Sequence, residues 1–121
     1  MAIKSFLDLE VYQESLQLAK EINIILKAFP SEEKYLLVDQ MHRASRGIPS
    51  LIAESWAKRK LLREFQKYLR DAVGEANEMM NHLEQSRLFG YLEERKAKNL
   101  IERYDQLAAK LSKLKDNWKN Y

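Results

Sequence analysis

Residues 62–90 read LREFQKYLRDAVGEANEMMNHLEQSRLFG, and this stretch decides the fold class. Its apolar side chains recur every three or four residues, the spacing of one face of an α-helix. The same alternation runs through residues 92–118. Two such seams predict long helices that pack at shallow crossing angles in a bundle. The seams consist of Leu62, Phe65, Leu69, Ala72, Ala76, Met79 and Leu83, followed by Ala97, Leu100, Tyr104, Leu107, Leu111, Leu114 and Trp118.

The remaining helix boundaries follow from the few turn residues. The chain has 121 residues but only three glycines and two prolines, too few for the frequent turns of a sheet protein. Asp8 is a plausible first N-cap, Pro30 ends the first helix, and Ser31 is a plausible second N-cap. Residues 1–121 are therefore predicted to form one all-α domain, an antiparallel up-down four-helix bundle. Its helices are expected at about 8–28, 32–56, 61–89 and 92–118, with Gly90 as the left-handed C-cap of the third.

A proline lies inside the predicted second helix. Gly47-Ile48-Pro49 falls where the apolar pattern is still helical. Proline removes a backbone donor and clashes with the preceding turn, so we predict a kinked but continuous helix.

The first helix carries two apolar stripes on nearly opposite faces. The stripe that contains Leu9, Tyr12 and Leu16 is expected to face the core of the bundle. The other is expected to be exposed in a monomer, and large exposed apolar patches indicate self-association. We therefore predict an oligomer interface at Val11, Leu18, Ile22 and Ile25. The alternative is a helix that its own chain covers on all sides.

Composition excludes several classes of protein. The absence of cysteine excludes disulfides, thiolate metal sites and cysteine nucleophiles. No apolar run approaches the roughly 20 residues of a membrane span, and the N-terminus has no apolar signal core. A cytoplasmic protein without a membrane partner is therefore expected.

Basic residues are unevenly distributed along the chain. The net charge is +3, yet residues 95–121 alone carry eight bases against three acids. Clustered bases indicate a polyanionic partner, although a solvated helix face has the same composition. We predict nucleic-acid contacts at two sets of cations, the first beside Trp56. These sets are Lys58, Arg59, Lys60 and Arg63, and then Lys110, Lys113, Lys115 and Lys119.

Other polar residues are assigned structural roles. Gln40, Arg43 and Glu54 share the second helix, and we interpret them as polar packing groups that could help to specify an assembly. The pairs Asp39/His42 and Glu78/His82 each share a helix face, but neither is the Glu-x-x-His unit of di-iron bundles. No metal or cofactor is predicted. There is also no phosphate loop and no nucleophile elbow, so the chain is not expected to be an enzyme.

Three segments resemble a known family. They are FLDLEVYQ at 6–13, LVDQMHRA at 37–44 with GIPSLIAE at 47–54, and FQKYLRDAVG at 65–74 with Glu78. They resemble the four-helix-bundle proteins of bacterial ribosomal-RNA intervening sequences, which include the accessory variability determinant of diversity-generating retroelements. This chain departs from the family pattern at Leu51, where Asn is expected, and at Ser55, where Gly is expected.

The resemblance implies a function as well as a fold. It implies a bundle that assembles into a homopentameric ring and, in the retroelement branch, a basic nucleic-acid-binding partner of a reverse transcriptase. We therefore expect a non-enzymatic accessory protein that binds RNA or DNA electrostatically. The alternative is a structural oligomerisation module that binds a protein partner without nucleic acid.

Overall fold

The computed structural model describes residues 2–118, and over that range the chain forms four α-helices and no strand. The helices are α1 (Glu10–Leu26), α2 (Leu37–Ala57), α3 (Leu62–Leu88) and α4 (Glu94–Asp116). Short 3-10 turns at Phe6–Asp8 and Ser31–Glu33 precede α1 and α2. Helix α3 packs along both α2 and α4, whereas α1 packs mainly on α2 and also contacts α4. The predicted all-helical class is confirmed.

The two apolar seams form most of the core contributed by α3 and α4. From Phe65 to Leu83 every predicted α3 seam residue is fully buried, and so are the α4 seam residues from Ala97 to Leu111. The seam ends differ, because Leu62 is exposed at the start of α3 while Leu114 and Trp118 are only partly buried. Helical periodicity therefore predicted this part of the core correctly.

Both predicted N-caps are wrong. Asp8 closes the first 3-10 turn, where its carboxylate accepts the backbone N–H of Lys4 at 2.8 Å, and α1 begins only at Glu10. The second helix begins at Leu37 instead of about residue 32. The reason is a long-range contact, since the Glu33 carboxylate accepts the Tyr91 hydroxyl at 2.8 Å and the Leu37 N–H at 3.4 Å. With these bonds the connection forms a 3-10 turn at Ser31–Glu33 and a second turn over residues 34–36.

Gly90 ends α3 as its position in the sequence predicts. Its φ of +81° is the left-handed conformation that glycine adopts without strain. The Gly90 N–H donates to the Arg87 carbonyl at 3.1 Å, and the Tyr91 N–H donates to the Ser86 carbonyl at 2.9 Å. These two bonds form a Schellman motif, which satisfies carbonyls that the helix end leaves unpaired.

Helix α2 continues through Pro49. It is one helix from Leu37 to Ala57, with Pro49 buried inside it, so the predicted continuity is confirmed. The Ser50 hydroxyl donates to the Arg46 carbonyl at 3.1 Å one turn earlier.

The predicted oligomer interface on the first helix is wrong in its residues. Val11, Leu18 and Ile22 are buried within the chain itself, and Ile25 is partly buried against the same core. In the other stripe Leu16 is 49% exposed, and Ile24, which belongs to neither stripe, is 55% exposed. Both stripes have helical spacing, so only the placement of α1 against α2 and α4 decides which one faces inward.

None of the helices within residues 2–118 has the length and apolar character to cross a membrane.

Candidate nucleic-acid interface

The turn between α2 and α3 presents the first predicted basic set. Helix α2 ends at Ala57, and the N–H of Lys58 still donates to the Glu54 carbonyl at 3.1 Å. The chain reverses over residues 58–61, where the Leu61 N–H donates to the Lys58 carbonyl at 2.9 Å. Lys58, Lys60 and the Arg63 that follows are exposed, and within residues 2–118 no acid pairs with them.

Arg59 differs from its neighbours because it packs inward. Its guanidinium lies over the Trp56 ring, 4.2 Å from the ring centroid, and its Nη1 donates to the Trp56 carbonyl at 3.1 Å. A cation over an indole face is attracted by the ring's negative quadrupole. Arg59 therefore holds the turn against the end of α2, and the exposed charge of this set belongs to the other three cations.

Trp118 brings the end of α4 to the same turn. Its ring stacks on Phe65 at 4.5 Å and meets Trp56 edge-on at 6.1 Å between centroids. Nearby, the Gln66 side chain donates to the Lys115 carbonyl at 3.3 Å. The described members of the two basic sets, which the sequence predicted as separate candidates, consequently lie toward one end of the bundle.

The pairing of the two tryptophans was missed at the sequence level. Both residues lie at the ends of helices that run in the same direction in an up-down bundle. The shared direction of the two helices was therefore the signal in the sequence that could have predicted this contact. The packing also shows that Trp56, the aromatic residue beside the first basic set, is not a free stacking surface for a base. Its ring is buried and covered by Arg59.

The members of the second basic set differ in whether they form ion pairs with acidic residues. Lys110 contacts the carboxylates of Glu10, at 2.8 Å, and Glu14, and these hydrogen bonds raise the pKa of Lys110 to about 12. Lys115 pairs with Asp116 at 3.2 Å. Lys113 is exposed and has no ion pair within the described range. The last member, Lys119, lies outside the described residues.

These contacts define the basic end, by which we mean the exposed cations Lys58, Lys60, Arg63 and Lys113. Residues 58–67 carry five bases and the single acid Glu64, so the local charge is strongly positive. Lys110 instead joins α4 to α1. Clustered surface cations without acidic partners form the kind of surface that contacts phosphates.

The three predicted polar packing residues do not come together. Gln40 and Arg43 line a groove between α2 and α3, and the guanidinium of Arg43 pairs with Asp39 at 3.0 Å. Glu54 lies further along α2, exposed to solvent and outside that groove.

No group of three potential metal ligands occurs within residues 2–118. His82 Nε2 lies 3.5 Å from the Glu78 carboxylate, which brings together one of the pairs considered from the sequence. In the other, the carboxylate of Asp39 pairs with Arg43.

Fold and surface together define a four-helix bundle with a cationic end. Residues 7–113 match the family model described as 23S rRNA-intervening sequence protein. The chain belongs to the 23S rRNA-intervening sequence protein family.

A solved structure has the same fold. It is a protein of unknown function from the S23 ribosomal protein family of Bacteroides thetaiotaomicron, 22% identical, with a TM-score of 0.80. The alignment covers 88% of this chain and 96% of that one. At that identity the likeness concerns the fold alone. A search of curated protein sequences found no significant match.

Proposed function

We propose that this chain is a non-enzymatic accessory protein that binds RNA or DNA through the phosphate backbone at its basic end. The observation that carries the proposal is the exposure of Lys58, Lys60, Arg63 and Lys113 together at one end of the bundle. A surface cation that is not paired within its own chain can replace the counterions that surround a nucleic acid. The release of those counterions drives non-specific binding.

The packing supports a mode of binding that reads charge more than sequence. The Trp56 ring is buried and lies under the guanidinium of Arg59, and Phe65 stacks on Trp118, so both rings are engaged within the chain and base stacking is not the main mode of binding that we propose. Phosphate contacts fix position without reading sequence. Binding should therefore weaken steeply with salt and discriminate little between sequences.

The proposal includes self-association into a homopentameric ring, which the family resemblance implies. Five copies of a chain with a net charge of +3 would carry +15, a substantial attractive field for a polyanion. An apolar groove between α1 and α2, about 320 Å³ in volume, supports a subunit contact there. It is lined by Tyr12, Leu16 and Ala19 of α1 and by Pro49 and Ala53 of α2. We further propose that α2 is kinked at Pro49, beside this groove.

In the retroelement branch of the family, the corresponding partner is a reverse transcriptase. We include this partner in the proposal because an accessory protein with a cationic end could hold a nucleic-acid template beside such an enzyme.

Charge reversal at the basic end tests the proposal. Fluorescence anisotropy would compare binding of a labelled RNA–DNA hybrid by the wild type, a basic-end variant and a control variant with the same net charge. The basic-end variant is K58E/K60E/R63E, and the control is K20E/K27E/R95E, at exposed cations without ion pairs within residues 2–118. We expect the basic-end variant to bind at least tenfold more weakly than the control. Equal losses would mean that only net charge matters and would refute the site.

A second candidate function is a structural oligomerisation module that binds a protein. It is favoured by the opposite end of the bundle, where Tyr35, Leu36, Leu88 and Phe89 are exposed. Exposed apolar clusters of this kind mark protein contacts. Failure of the wild type to bind any nucleic acid at low salt would leave this candidate as the better account.

A further inference from the structure

A groove between α2 and α3 contains two carboxylates, Glu75 and Glu78, that form no ion pair with a lysine or arginine within residues 2–118. It is about 530 Å³ in volume and lies between the first turns of α2 and the C-terminal half of α3, away from the basic end. Glu75 and Glu78 of α3 line one wall, and Gln40 of α2 lines the other. Glu75 lies over the α2 backbone, because a β-carbon built on Gly47 would be 3.8 Å from its Oε2.

The charges around the groove show the lack of compensation. Within residues 2–118 no cation pairs with Glu75, and burial together with Glu78 and Asp71 raises the pKa of its carboxyl. Arg43 also lines the groove, but its guanidinium is paired with Asp39. A carboxylate held among like charges and partly desolvated is stabilised by any cation that can reach it.

A buried histidine in the same groove is a second, independent feature. The His82 side chain is 9% exposed and lines the groove, with its Nε2 3.5 Å from the Glu78 carboxylate. Its Nδ1 has no hydrogen-bond partner within the described residues. Burial lowers the pKa of His82, with Glu78 opposing the shift, which favours the neutral ring. A neutral imidazole offers one donor and one acceptor. In His82 the nitrogen that is unpartnered within residues 2–118, Nδ1, is buried, and Nε2 is the nitrogen that lies beside the groove carboxylate Glu78.

We propose that this groove is a binding site for an organic cation, an alkylammonium or guanidinium group, held by Glu75 and Glu78 with His82 beside them. Such a cation brings several N–H donors, and charge-assisted hydrogen bonds to carboxylates are the strong ones. The side-chain amides of Gln40, Asn81 and Gln85 on the groove supply further acceptors. A metal ion fits less well, because no three potential metal ligands group together within the described residues.

The cation has two possible sources with the same chemistry. One is a free linear polyamine, whose ammonium groups could lie along the groove. The other is a lysine or arginine side chain of a second copy of this chain. The site is separate from the basic end, so its failure would leave the nucleic-acid proposal untouched.

Calorimetric titration of the protein alone with spermidine at low ionic strength tests the first source. We expect one site per chain and a loss of affinity of roughly a hundred-fold or more in E75Q/E78Q, since each of the two charge-assisted bonds contributes about one to two powers of ten. Neutralising Glu75 relieves repulsion, so this variant should fold. The matched control is E64Q/E102Q, two exposed carboxylates outside the groove. A second variant, H82Q, is expected to weaken binding as well.

Light scattering after size-exclusion chromatography tests the second source. If spermidine gives no heat but E75Q/E78Q lowers the mass of the assembly while E64Q/E102Q does not, the cation comes from another copy. The proposal is overturned if E75Q/E78Q changes neither binding nor mass. Equal effects in the control variant would overturn it too.

Discussion

Replacing Glu21 with Gln removes one of the carboxylates that join α1 to α4. In the wild type, Arg103 donates to both oxygens of Glu21, with Nη1 to Oε1 at 2.8 Å and Nη2 to Oε2 at 2.5 Å. The Arg103 side chain is 33% exposed and the Glu21 side chain is 21% exposed, so the burial of this ion pair is intermediate between that of a surface pair and that of a buried pair. Exposed pairs contribute about 0–1 kcal/mol, and breaking a buried pair costs about 3–5 kcal/mol. We therefore expect E21Q to lower the free energy of unfolding by about 1–2 kcal/mol.

Circular dichroism during thermal and urea unfolding measures that loss. For a domain of this size, about 1–2 kcal/mol corresponds to a fall in Tm of roughly 4–8 °C. The control is Glu102→Gln on α4, an exposed carboxylate without an ion pair within residues 2–118, which should change stability by less than about 0.5 kcal/mol.

The ion pair also predicts how the stability difference between the wild type and E21Q changes with pH. Hydrogen bonds from Arg103 lower the pKa of Glu21 below the ordinary 4.5. A carboxyl with a lowered folded-state pKa stabilises the fold above its unfolded value and loses that contribution as the pH falls through the folded value. The stability gap between wild type and E21Q should be constant near neutrality and shrink below about pH 4.5. A gap that is absent at pH 7, or unchanged at pH 3, would refute the assignment of α1–α4 attachment to this ion pair.

Four further substitutions test the packing and the charge distribution. Ile22→Asp should unfold the chain, because Ile22 is 0% exposed, whereas Leu16→Glu on the exposed stripe should keep the fold and reduce the mass of any assembly in light scattering. A folded I22D variant would contradict the orientation of α1. Gly90→Ala should cost about 1 kcal/mol in urea unfolding, because alanine is strained at φ +81°, and no loss would contradict the cap. Glu75→Gln should raise stability at pH 7 by a few tenths of a kcal/mol, and a clear loss would contradict the repulsion inferred from its raised pKa.

Sequence periodicity predicted the parts of the fold that depend on local pattern. The seams of α3 and α4, the glycine cap and the continuity of α2 through Pro49 follow from spacing and backbone chemistry within one helix. The face of α1 that packs inward cannot be predicted from such local pattern. Both of its stripes are apolar, and Ile22 faces the core only because α2 and α4 pack on that side.

Long-range contacts account for the rest. The late start of α2 depends on the bond between Glu33 and Tyr91, 58 residues apart. The sequence could not show which cations of α4 form ion pairs and which are unpaired, because the acids that contact Lys110 come from α1, far away in sequence. At the turn, the cluster was visible as charge, but only the structure distinguishes Arg59, held on Trp56, from its exposed neighbours.

The salt dependence of nucleic-acid binding tests the central claim most directly. Anisotropy titrations with the RNA–DNA hybrid between 50 and 200 mM salt (about the range in which counterion release is measured) would give the slope of log affinity against log salt. The account predicts measurable binding and a steep slope in the wild type. In K58E/K60E/R63E that slope should be shallower by about 3, one for each lost phosphate contact. No binding at the lowest salt, or the same slope in both proteins, would contradict the claim that the basic end holds nucleic acid.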